Sequence, residues 1–172
     1  MEITKSIFRE YDIRGIYPEE INESIVSLIA KAISYKCKEK NITEICVGRD
    51  GRLSGDSLLS KLSQTLSLFG IKVINLGLVT SPLLYFAAKK NKFKSGVMIT
   101  GSHNPKEYNG IKLVIDDKPI SGSDILELIE NNKVVENPFL NEIVNVDIKD
   151  EYIKEVKKNL TIKKGTKIVI DC

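Results

Sequence analysis

No stretch of this sequence is apolar for the roughly 18 residues a membrane span needs, and its N-terminus lacks the order of a secretory signal. Membrane association is therefore not expected. Cysteine is scarce: Cys37, Cys46 and Cys172 fit no metal-ligand spacing and cannot all pair. The plain reading is reduced thiols in the cytoplasm. Charge imbalance is also missing, since a net +3 is too small to argue for a nucleic-acid partner. Tryptophan is absent, and a single histidine, His103, leaves no second imidazole to assist it.

Arginine is the most informative scarcity. Of 26 basic residues only four are arginine, and lysine serves as the ordinary surface cation. All four fall in two short segments, Arg9 and Arg14 in Phe8–Gly15 and Arg49 and Arg52 in Gly48–Arg52. A guanidinium offers a planar fork that lysine cannot copy, suited to a carboxylate or phosphate held bidentately. Structural ion pairing to nearby Glu10, Asp12 and Asp50 is the competing reading, and it weighs least for Arg14.

What remains is the composition of an ordinary globular protein, 42% hydrophobic and 28% charged. Its 172 residues suffice for one domain and the start of another. Apolar residues at helical spacing mark a helix over 22–39, with Asn22 as N-cap. Leu58, Leu59, Leu62, Leu66 and Phe69 line a second helix, stopped by Gly70. A third starts at Thr80-Ser81-Pro82, with proline in its first turn. Between them lie short strands, Glu44–Val47, Ile71–Leu76 and Gly96–Thr100. This alternation predicts an α/β fold whose mixed, mostly parallel sheet is sandwiched by helices.

Ligands on such sheets bind beyond the carboxyl ends of the strands. The segments leaving those ends are Gly48–Arg52, Gly77–Thr80 and Gly101–Pro105. The arginine loop and the Ser102-His103 loop are thus expected on one rim, although 50 residues separate them. After the serine loop, Ile111–Ile115 is expected to return antiparallel, with Ile111, Leu113 and Ile115 on one face and Lys112 on the other. Taken alone, Lys112 reads as a solvated edge charge more readily than as a chemical group.

A helix is expected from Ser121 to Asn131 and a charged one from Lys149 to Leu160, with no clear periodicity over 132–147. Residues 167–172 read as a further strand with nothing to pair it. The division expected is 1–146 as one domain and 147–172 as the incomplete start, helix and strand, of a second α/β domain.

Four runs carry a resemblance: Phe8-Arg-Glu-Tyr-Asp-Ile-Arg-Gly15, Gly48-Arg-Asp-Gly-Arg-Leu-Ser-Gly55, Thr100-Gly-Ser-His-Asn-Pro105 and Tyr108-Asn-Gly-Ile-Lys112. In order and spacing they resemble the α-D-phosphohexomutases, within them the phosphomannomutase/phosphoglucomutase branch, over essentially the whole chain. The resemblance implies interconversion of hexose 1-phosphate and hexose 6-phosphate through a phosphoserine and a hexose 1,6-bisphosphate. Ser102 matches the phosphorylated serine and Lys112 the general acid/base, whose neutral form a neighbourhood of arginines would favour. Tyr11 and Arg14 match residues approaching substrate and phosphoserine. His103 and Asn104 match the positions flanking the serine, His103 either tuning charge or holding the loop.

Phosphoryl transfer of this kind uses Mg²⁺, a hard cation that takes oxygen ligands. In the family, three aspartates of a second-domain Asp-x-Asp-x-Asp loop join one oxygen of the phosphoserine. No such loop occurs in this sequence, so Ser102, through its phosphate, is the one metal ligand expected here. The remaining domains are the expected partners, and the 172 residues alone are expected to be inactive. Two other classes compete. A serine hydrolase would need the His103 imidazole to reach the adjacent hydroxyl, which neighbouring residues rarely achieve. A noncatalytic phosphosugar-binding module would cradle phosphate on loop amides.

Overall fold

A computed structural model describes residues 3–133, 135–136 and 138–171. In chain order the elements are β1 (Ile13–Ile16), α1 (Glu23–Glu39), β2 (Glu44–Arg49), α2 (Gly55–Leu68), β3 (Lys72–Leu78) and α3 (Ser81–Lys90). They continue with β4 (Gly96–Ile99), β5 (Tyr108–Ile115), β6 (Lys118–Pro119), α4 (Gly122–Glu130), β7 (Ile143–Asn145) and α5 (Lys149–Lys158).

The strands form one mixed sheet in the order β1-β5-β4-β2-β3-β7, with β6 beside β5. β2, β3, β4 and β7 run parallel, while β5 runs against β4 and β1. Alternation along the strands divides the core. Ile45, Val47, Val97 and Ile99 join the cluster built with α1 and α2, and Cys46 and Met98 join the one built with α3. Each fully buried Leu or Ile here contributes about 1.5–3 kcal/mol relative to exposure.

Local chemistry sets the helix ends. The Asn22 side chain accepts from the backbone N–H groups of Ser24 and Ile25, both at 3.1 Å, and caps α1. Ser121 and Asp124 form a reciprocal capping box on α4. Gly70, at φ +87°, follows α2 in the left-handed conformation that lets the chain turn into β3. Thr80 precedes α3 as expected, yet its side chain makes no capping bond.

Three parts differ from the sequence reading, the first being β1, for which no strand was expected. Residues 143–145, in the stretch without period, form β7 and extend the sheet by pairing with β3. Three residues with one half-buried side chain show no pattern, and the hydrogen bonds of a partner strand define them. Residues 167–171, read as a strand, are exposed and in no strand, because a strand needs a partner for its N–H and C=O groups. Cys172 lies outside the described residues. Helix α5 packs against α3, with the Tyr152 ring set edge-on to Phe86 at 5.4 Å and Glu151 paired with Lys90.

Cys37 and Cys46 are free and buried. Among the described residues no helix is long and apolar enough to cross a membrane.

Candidate active site

The parallel run of β2, β3 and β4 brings their carboxyl ends to one rim. There the Asp50 N–H donates to Ile99 O at 3.0 Å and the Val79 N–H to Arg49 O at 3.0 Å. The arginine loop and the serine loop are therefore neighbours. Ser102 is exposed at the tip of the second, at φ +55°. A non-glycine residue in this region costs about 1–3 kcal/mol, so the surrounding bonds must over-determine it.

Those bonds start from Asp50. Its Oδ2 accepts from Thr100 Oγ1 at 2.8 Å and from the Gly101 N–H at 3.2 Å. Thr100 Oγ1 in turn accepts from the Ser102 N–H at 2.9 Å. On the other side, Arg52 donates to the carbonyls of Asn104 (2.6 Å), Tyr108 (2.8 Å), Ser102 (3.2 Å) and Pro105. Its Nε lies 3.4 Å from Asp50 Oδ2, an ion pair without hydrogen-bond alignment. Arg49 pairs with Asp56 at 2.7 Å and donates to Asp50 O at 2.9 Å. Of the two readings left open for these forks, an external anion or pairing within the protein, the second is the one present at both positions.

Arg14 lies on β1, opposite Gly110 of β5. It is buried, ion-paired to Asp12, and donates to Asn104 Oδ1 at 3.1 Å. The ion pairing judged least fitting for Arg14 is therefore present. Asp12 Oδ2 also lies 3.2 Å from Lys112 Nζ. Lys112 stands as expected on the face opposite Ile111, Leu113 and Ile115, but its immediate partner is a carboxylate rather than an arginine.

The structure thus links Ser102, Asn104, Arg14, Asp12 and Lys112 through the loop and successive contacts. Tyr11 stands apart, 79% exposed. The His103 Nδ1 is 3.4 Å from Ser102 Oγ, an approach that adjacent residues rarely make. The distance exceeds that of a working nucleophile–base pair, and among the described residues no carboxylate orients the ring. The amides of Gly101, Ser102 and Asn104 are occupied within the loop and its supports, which removes donors from a cradle of amides.

A cavity of about 830 Å³ adjoins the loop, bordered by Ser102, Asn104, Arg52, Tyr17, Lys106 and Glu107. Lys112, Arg14 and Tyr11 are not part of its wall. Among the described residues no three His, Cys, Asp or Glu stand together as a metal site. The residues present therefore do not make up a Mg²⁺ shell.

Asp12, Asp50 and Asn109 are the site residues sequence reasoning undervalued. Asn109 is buried and donates from Nδ2 to Ser54 Oγ at 2.8 Å, tying the start of β5 to the cap of α2. Asp12 carried a signal: two residues before Arg14 at the mouth of a strand, it shares that residue's face.

Residues 5–136 match the family described as phosphoglucomutase/phosphomannomutase, alpha/beta/alpha domain I. The chain is 40% identical over 172 residues to a phosphoglucomutase of Neisseria meningitidis serogroup B, covering 98% of this chain and 37% of that protein. It is 41% identical over 170 residues to a phosphomannomutase/phosphoglucomutase of Pseudomonas syringae pv. tomato, covering 97% and 36%. The solved structure of a phosphoglucomutase/phosphomannomutase family protein from Burkholderia thailandensis aligns with a TM-score of 0.89 at 28% identity, over 95% of this chain and 38% of that one. The chain spans little more than a third of the length of the relatives it matches. In motif order, topology and extended similarity alike, it belongs to the phosphoglucomutase/phosphomannomutase family, and residues 5–136 are its α/β/α domain I.

Proposed function

We propose that this chain is the phosphoryl-carrying N-terminal part of a phosphohexomutase acting on hexose phosphates, glucose or mannose. Residues 1–146 form the domain that carries Ser102, and 147–172 begin the next. One observation carries the reading: Ser102 is held at φ +55° on the ligand-binding rim, its hydroxyl exposed and its loop anchored on both sides. The names of the relatives support the substrate class.

In the reaction, a sugar hydroxyl oxygen attacks the phosphorus on Ser102. The Oγ–P bond breaks as the new O–P bond forms, and the proton lost by the hydroxyl is the one Oγ gains. Lys112 carries that proton and Arg14, fixed by Asp12 and Asn104, faces the transferring charge. The resulting hexose 1,6-bisphosphate reorients and returns its other phosphoryl group by the same step reversed. Asn104 borders the sugar phosphate at the cavity wall, and Tyr11 is assigned to the substrate by the family resemblance alone. His103, 3.4 Å from Ser102 Oγ, either tunes charge there or holds the loop. Mg²⁺, when bound, supplies charge neutralisation at the phosphoryl oxygens, and the Ser102 phosphate is the ligand this chain offers it.

Turnover is proposed for the protein in which this chain is joined to its remaining domains, in the cytoplasm. The 172 residues alone are expected to be inactive. The test is Ser102→Ala in the longer protein, incubated with glucose 1,6-bisphosphate and followed by intact mass and mutase rate. The variant is expected to gain no phosphate and to turn over neither glucose nor mannose phosphate. Persistent labelling of the variant would remove Ser102 from this role.

A further inference from the structure

Arg52 is one of four arginines in a chain that otherwise uses lysine, and its guanidinium is spent inside the protein. It stands on the turn after β2, while the residues it grips follow β4 some fifty positions later. Four carbonyls, those of Ser102, Asn104, Pro105 and Tyr108, converge on it. These cover the C-terminal arm of the serine loop. The N-terminal arm is held by Asp50 through Thr100 and Gly101, and Asp50 also accepts from the Arg52 N–H at 3.1 Å.

We propose that Arg52, braced by Asp50, is a positioning residue for phosphoryl transfer: it fixes where Ser102 presents its oxygen. The proposal rests on Ser102 being the phosphoryl carrier. Three features of the geometry support it. A planar fork satisfies several in-plane acceptors at once, whereas an ammonium is a point charge with three tetrahedral donors. A Cβ on Gly101 would lie 2.3 Å from the guanidinium carbon, so the loop backbone and the guanidinium are in direct contact there. Each gripped carbonyl is partly neutralised by the arginine charge, which lowers the repulsion a phosphate dianion meets from the loop.

Arg52 touches no reacting atom. Its effect is expected in the chemical step rather than in substrate affinity. A misplacement of about 1 Å in a reacting group costs on the order of 100-fold in rate.

The test uses the longer protein, with Arg52→Lys, Arg52→Ala and Ser102→Ala compared with the unaltered protein. Measured are kcat, KM, phosphate on Ser102 after incubation with glucose 1,6-bisphosphate, and the thermal unfolding profile. Both Arg52 variants are expected to lose about 100-fold in kcat, with KM changed by less than about threefold. Added guanidinium ion is expected to restore part of kcat to Arg52→Ala and none to Ser102→Ala. Wild-type kcat in both Arg52 variants overturns the proposal. So does a loss shared equally by folded fraction and kcat without recovery by guanidinium, or failure of both variants to fold. Absence of phosphate on Ser102 in the unaltered protein is a separate result, which removes the carrier reading itself.

Discussion

The carboxylate of Asp12 lies 3.2 Å from Lys112 Nζ and is ion-paired at the same oxygen to Arg14, so one buried anion holds two cations from antiparallel strands. Asp12 and Arg14 are nearly fully buried, whereas Lys112 keeps part of its surface in water. The group with access to solvent is the one assigned to move a proton, and the other two are fixed around it.

Asp12→Asn keeps the shape and removes the charge, leaving the Arg14 guanidinium buried without its counter-ion. Breaking a buried pair in this way costs about 3–5 kcal/mol. A clear drop in the urea midpoint with unchanged slope is expected, together with loss of mutase rate in the longer protein. An unchanged midpoint would show that the pair contributes no net stability.

Gly101→Ala should cost both activity and stability. The new methyl would lie 2.3 Å from the Arg52 guanidinium carbon, and that side chain can move aside only by giving up carbonyls of the serine loop. A destabilisation of about 1–3 kcal/mol, read as a lower thermal midpoint, is expected together with a fall in kcat in the longer protein. A wild-type midpoint and kcat would contradict it.

Gly110→Ala is the counterpart on the strands. There a Cβ would lie 2.3 Å from Ile13 O and 3.1 Å from Thr100 O, both backbone atoms of neighbouring segments. Overpacking of this kind costs about 1–3 kcal/mol and is expected as a lower thermal midpoint. A wild-type midpoint would show that β1 and β5 separate freely.

Cys37 and Cys46 are each pushed up to about 12, Cys37 by burial and Cys46 by burial and then by the Glu44 charge. The unfolded chain, with thiols near 9.0, loses these protons first. Their contribution to stability is thus complete below pH 9 and declines as pH rises from 9.0 towards 12. Peptide mapping after iodoacetamide treatment at about pH 8 should find both unmodified in the folded chain and modified in urea. Rapid alkylation without denaturant would contradict their burial.

Asn22→Ala removes the two bonds that start α1 and should cost about 1 kcal/mol, read as a lower urea midpoint, while Asn22→Asp should retain most of it. Equal losses in both variants would show that the cap depends on more than an oxygen at that position.

Much of the fold was legible because its helices advertise themselves locally. Leu58, Leu59, Leu62 and Leu66 repeat with the helical period, and Asn22 and Ser121 occupy caps whose chemistry is written in neighbouring residues. β1 and β7 were not legible, since four and three residues carry no period long enough to read. Of the site, Ser102, His103 and Arg14 stood out as residue types in unusual settings, while Tyr11, Asn104 and Lys112 were singled out by the family resemblance. Asp12 and Asp50 did not, because an aspartate in a turn has many ordinary uses.

The sequence by itself determined which residues are available: one exposed serine in a turn of small residues, four arginines in two segments, and alternating elements that send three loops to one rim. Tertiary structure decided how the arginines are used. Whether a guanidinium faces a ligand or a neighbouring backbone depends on which carbonyls lie within hydrogen-bond reach, and for Arg52 these come from a loop fifty residues away. Parallel pairing of β2 with β4 sets that distance, and no local pattern around Arg52 encodes it.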